Sequence, residues 1–69
     1  MVEVFKTNIA DKTTANNVAR DLYEHFPGGR INFDLDDCDK ILRVESENVI
    51  PEVVANILIC RGFMCEVLE

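Results

Sequence analysis

Arg30-Ile31-Asn32-Phe33-Asp34-Leu35-Asp36-Asp37-Cys38-Asp39-Lys40-Ile41-Leu42-Arg43-Val44-Glu45 is the stretch on which the reading of this chain turns. Ile31, Phe33 and Leu35 alternate with polar residues, the two-residue period of a strand that buries one face, so 30–36 is predicted to be a half-buried strand. Asp36 to Asp39 is rich in a residue whose side chain bonds its own backbone in turns, and 40–45 returns to strand formers. The stretch therefore predicts a β-hairpin.

Working outward, the residues before it change period. Ala15, Val18, Ala19, Leu22 and Phe26 recur at spacings of three and four, which places them on one face of a helix from about Asp11 to Phe26. Asp11, Thr13 or Thr14 can cap its start, and Pro27-Gly28-Gly29 ends it, because proline cannot continue a helix and glycine accepts the turn. After the hairpin, Ser46-Glu47-Asn48 offers cap residues and Pro51 suits a first helical turn, so Pro51 to Arg61 is predicted as a second helix closed by Gly62. At the two ends, Val2 to Thr7 and Phe63 to Leu68 are strand-like. In the first, either Val2 and Val4 or Phe5 and Thr7 could face the core, since a one-residue shift exchanges the faces. In the last, Phe63, Cys65 and Val67 are expected to look inward. The order is strand, helix, strand, strand, helix, strand. Right-handed split crossovers put both helices on one face of a four-stranded antiparallel sheet, a ferredoxin-like α+β sandwich of βαββαβ plan in which 1–69 is read as one domain.

Composition limits function. The 69 residues include 7 Lys plus Arg against 13 Asp plus Glu, a net charge of −6, with the cations scattered. Binding to nucleic acid or anionic lipid relies on clustered cations, so neither is expected as a partner. No apolar stretch reaches the roughly 20 residues that cross a bilayer, and no secretory pattern opens the chain. Three cysteines, Cys38, Cys60 and Cys65, are odd in number and match no disulfide framework, which points to reduced thiols and the cytoplasm. A core this small favours association with a second copy or a protein partner.

Phe26-Pro27-Gly28, Asn32-Phe33-Asp34-Leu35 and above all Arg61-Gly62-Phe63-Met64-Cys65-Glu66-Val67-Leu68 carry a family resemblance over nearly the whole length. They look like the L-P-G-V, V-x-V-D-L and G-F-x-A-E-V-L segments of heavy-metal-associated domains, the family of copper chaperones and of the N-terminal domains of metal-transporting ATPases. The resemblance implies the ferredoxin-like fold. It also implies a metal loop, M-x-C-x-x-C, between the first strand and the first helix. Aligned on Val18 and Leu22, the motif falls on Ile9, Asp11 and Thr14; aligned on Pro27-Gly28, it falls on Ala10, Lys12 and Ala15. Neither register holds sulfur. Soft thiolates select Cu(I), so this loop is expected not to bind copper.

Other chemistry is sparse. Cys60 and Cys65 stand five apart, which is not a zinc or redox spacing. Asp34, Asp36, Asp37 and Asp39 lack the glycine and terminal glutamate of a calcium loop and are read as a solvated turn. Gly28-Gly29 lacks the flanking pattern of a phosphate cradle. His25 has no named nucleophile or carboxylate to work with, so no catalytic residue and no cofactor is expected. Free cysteine is usually a buried hydrophobe, which suits Cys65. The second helix is the exception to this quiet picture. Val53, Val54, Ile57, Leu58, Ile59 and Cys60 exceed one stripe, and Val53, Ile59 and Cys60 are expected to form an exposed contact patch for a partner or a second copy. The sequence reads best as a non-enzymatic binding module. The alternative is a divergent metal-binding or metal-sensing protein that uses Cys60 or Cys38.

Overall fold

A computed structural model describes residues 1–68. The elements run β1 (Val2–Thr7), α1 (Lys12–His25), β2 (Arg30–Asp34), β3 (Ile41–Glu45), α2 (Pro51–Cys60) and β4 (Cys65–Leu68). The sheet order is β2-β3-β1-β4 with every neighbouring pair antiparallel, the ferredoxin-like arrangement. Neither helix is long and apolar enough to cross a membrane.

The registers define the two faces of the sheet. Phe5 pairs with Leu42 on one side and Val67 on the other, and Leu42 in turn pairs with Phe33. Directly opposed residues share a face. Phe5, Leu42, Val44 and Ile31 therefore lie together beneath Val18 and Leu22 of α1 and Val54 and Leu58 of α2, all buried in one cluster. This decides the open question for β1: Phe5 and Thr7 face the core, while Val2 is exposed and Val4 half-buried on the far side.

Local chemistry explains the helix ends. Asp11 caps α1, its carboxylate accepting from the Thr14 N–H at 2.9 Å. At the end of α2, the Phe63 N–H bonds the Leu58 carbonyl at 3.0 Å and the Gly62 N–H bonds Ile59 at 2.9 Å, with Gly62 at φ +89°. That is a Schellman closure, and it needs a residue at ease in the left-handed region. Gly29 is held for a different reason. A Cβ there would lie 2.8 Å from the Glu45 backbone oxygen, so the α1–β2 connection can hug the end of β3 only without a side chain.

Three expectations are corrected. The hairpin strands stop at Asp34 and resume at Ile41, because Leu35 to Lys40 form a longer loop in which Lys40 takes φ +48°. Ser46 to Asn48 do not cap α2. Its N-cap is Ile50, with no side-chain bond, and Pro51 stands where its missing N–H costs nothing. β4 begins at Cys65 rather than Phe63. Val67 lies on the core side of that edge strand but remains 37% exposed, since the strand's outer flank has no neighbour.

Candidate functional site

Three loops meet at one end of the sheet, and a single hydroxyl connects two of them. Thr7, the one buried polar residue of the described chain, donates from Oγ1 to the Lys40 carbonyl at 2.7 Å and accepts from the Ile9 N–H at 3.2 Å. It thereby ties the β1–α1 loop to the β2–β3 turn. The third loop is attached by Asn8, whose Oδ1 accepts from the Met64 N–H at 2.9 Å. This is the end at which the family resemblance locates a metal loop.

The residues found there form a helix cap. Thr14 Oγ1 donates to Asp11 Oδ1 at 2.7 Å while the Thr14 N–H reaches Oδ2, so the side chains at the first pair of implied thiolate positions are bonded to each other. In the second register, Ala15 is buried and Lys12 exposed, and such a pair could not close on one ion. The backbone bond from Thr14, followed by its side-chain bond, holds the Asp11 carboxyl below the usual value of 3.8. A lowered native pKa means that this group contributes stability above its unfolded value, lost as pH falls through the native one. Thermal melts below about pH 5 should show this as a falling transition temperature. Asp11→Asn, which caps without titrating, should flatten the acid limb while leaving the neutral-pH melt nearly unchanged.

The β2–β3 turn gathers the one group of three potential ligand residues among those described. Donor atoms of Asp37, Cys38 and Asp39 all lie within 4.8 Å of one another. Both carboxylates already have work: Asp37 Oδ1 accepts the Asp39 N–H at 2.8 Å, and Lys6 lies 3.5 Å from Asp39.

The thiols are separated by environment. Cys38 and Cys60 are exposed; Cys65 is half-buried, and desolvation pushes its thiol up to about 11. Cys65 thus belongs with the core, as its place opposite Thr7 requires.

A second feature lies between the helices. A groove of about 400 Å³ is lined by Val53, Ile57 and Cys60 of α2, by Asp21 and His25 of α1, and by Asn56 and Arg61. Val53, Ile57 and Cys60 are spaced at four and three, so one stripe of α2 supplies its apolar wall. Of the three residues expected as a patch, Val53 and Cys60 line this groove. Ile59, 55% exposed, points from another side of the helix and is not among its walls. No partner for His25 is legible in the sequence, yet the groove brings it and Cys60 to one surface. A nucleophile–base–carboxylate relay is not assembled there: the Asp21 carboxylate is engaged by Arg61, and His25 Nδ1 lies 3.0 Å from the Asp21 carbonyl instead.

Compared with protein families, curated proteins and solved structures, the chain matches none.

Proposed function

We propose that this chain is a non-enzymatic binding module on a heavy-metal-associated-like scaffold, one in which the metal loop has become a helix cap. The mutual bonding of Asp11 and Thr14 carries the reading, because it occupies with oxygen and a capping role the positions where the family's two thiolates would stand. The groove of Val53, Ile57 and Cys60 is the surface best suited to a protein partner. Its walls are largely apolar, and the net charge of −6 favours a partner that presents basic residues around an apolar contact. Three free thiols fit a reducing compartment such as the cytoplasm.

Native mass spectrometry of the reduced protein, with and without one equivalent of Cu(I) or Zn(II), tests the loss of metal binding. The expected spectrum is unchanged by either ion. A stoichiometric adduct would overturn the reading and favour the second one, a divergent metal site at Asp37, Cys38 and Asp39, for which the convergence of three donor atoms speaks. In that event the adduct should vanish in Cys38→Ser if the turn holds the ion, and in Cys60→Ser if α2 does.

A further inference from the structure

We propose that two copies of this chain pair antiparallel along their β2 edges, forming a symmetric dimer in which Arg30 of each copy faces Asp34 of the other. The surface concerned is distinct from the groove between the helices, and the inference does not depend on the loss of metal binding.

β2 is an edge strand, and the direction of its free backbone groups can be read from one contact. The Tyr23 hydroxyl lies 3.3 Å from the Ile31 nitrogen and 3.4 Å from the Ile31 oxygen. Both groups of Ile31 therefore point away from β3. Backbone direction alternates along an antiparallel strand, so the N–H and C=O of Phe33 also point outward. An edge with outward groups is a template for another strand. Tyr23 stands in for one at Ile31, through contacts longer than ordinary hydrogen bonds, which makes it easy to displace. Beside the edge, a groove of about 630 Å³ runs between α1 and β2, floored by Ala15, Ala19, Phe33 and Leu35. The small side chains of α1 leave room there for those of an added strand.

Register then selects the occupant. Centring a twofold axis on Asn32 sets Ile31 opposite Phe33 of the second copy, and both have outward backbone groups, as a hydrogen-bonded pair requires. The same register uses all of β2 and sets Arg30 opposite Asp34, twice. A shift of one residue would oppose groups of unlike direction and side chains of unlike face. Arg30 and Asp34 are both exposed and neither forms an ion pair within the described residues, where Lys6–Asp39 and Arg61–Asp21 are the pairs present. The edge is thus complementary in charge to its own inverted copy, as an isologous interface must be.

Sedimentation velocity over a range of concentrations, under reducing conditions that exclude bridging through Cys60, tests this. Wild-type protein should show a reversible monomer–dimer equilibrium. Arg30→Asp and Asp34→Arg should each weaken it by about tenfold or more, because like charges then face each other at two positions. An equimolar mixture of the two variants should recover the dimer, as a heterodimer identifiable by native mass spectrometry, since opposite charges are restored at both positions. Recovery also shows that each variant is folded. A wild-type protein that stays monomeric throughout, single variants that dimerise like wild type, or a mixture that fails to recover would each overturn the proposal.

Discussion

Phe5→Ala is expected to leave little folded protein at room temperature. Phe5 has no exposed surface, sits on a central strand, and is flanked in the sheet by Leu42 and Val67. Truncating a buried phenylalanine costs about 3–5 kcal/mol, through lost transfer energy and the cavity left behind. A core of this size supplies a net stability of about 3–5 kcal/mol, so the substitution consumes most or all of it. Circular dichroism during urea titration should show a curve with no native baseline for Phe5→Ala, while Phe5→Leu, which refills much of the space, should keep a cooperative transition at lower denaturant. A Phe5→Ala transition close to that of wild type would mean that β1 contributes far less to the core than its burial indicates.

The second large effect is polar and separates two accounts of the same site. Thr7→Val keeps the shape of the side chain and adds apolar surface, so an argument from hydrophobic burial alone would have it neutral or stabilising. The hydroxyl, however, serves both the Lys40 carbonyl and the Ile9 N–H. Leaving a buried polar group without a partner costs about 1–3 kcal/mol. Thr7→Val should therefore be markedly destabilised. Thr7→Ser, which keeps the hydroxyl and loses one methyl worth about 0.8 kcal/mol, should be the milder change. Thermal melts give the order, and amide exchange at Ile9 should quicken in Thr7→Val beyond the change at amides in the middle of α1. The reverse order of melting temperatures would assign Thr7 to the core as a mere volume.

Much of the fold was legible because its local signals agreed with the tertiary outcome. Asp11 before the apolar period of α1, and Pro27 and Gly28 after it, gave a helix whose limits match the structure. Gly62 marked the end of α2 for the reason its positive φ supplies. What was not legible depended on partners distant in the chain. Val2-Glu3-Val4-Phe5 alternates acceptably with either face inward, and only pairing of Phe5 with Leu42 decides between them. Ser46 to Asn48 looked like a cap but precede Pro51 by too many residues to reach its first turn, and Val49, buried, anchors the intervening chain. The apolar surplus of α2 raised the question of an exposed surface. The sequence could not foresee that α1 would join Val53 and Cys60 in one groove while Ile59 turned elsewhere, because that follows from how the helices lie together. The contact of Tyr23 with Ile31 was similarly hidden, since it joins a helix residue to the backbone of the strand that follows.

The position of β1 between β3 and β4 also governs the order in which the molecule can assemble. α1 and the β2–β3 hairpin involve residues near one another in sequence and need only short segments to close. β1 has no such neighbour: its partners lie dozens of residues away, one on each of its edges. The entropy of closing those long loops must be overcome before the contacts that repay it exist, and chains dominated by such distant pairings fold more slowly than helical bundles of equal length. During synthesis β1 emerges ahead of both its partners and is thus among the last strands to find its place, with its two edges unpaired until β3 and β4 have both arrived.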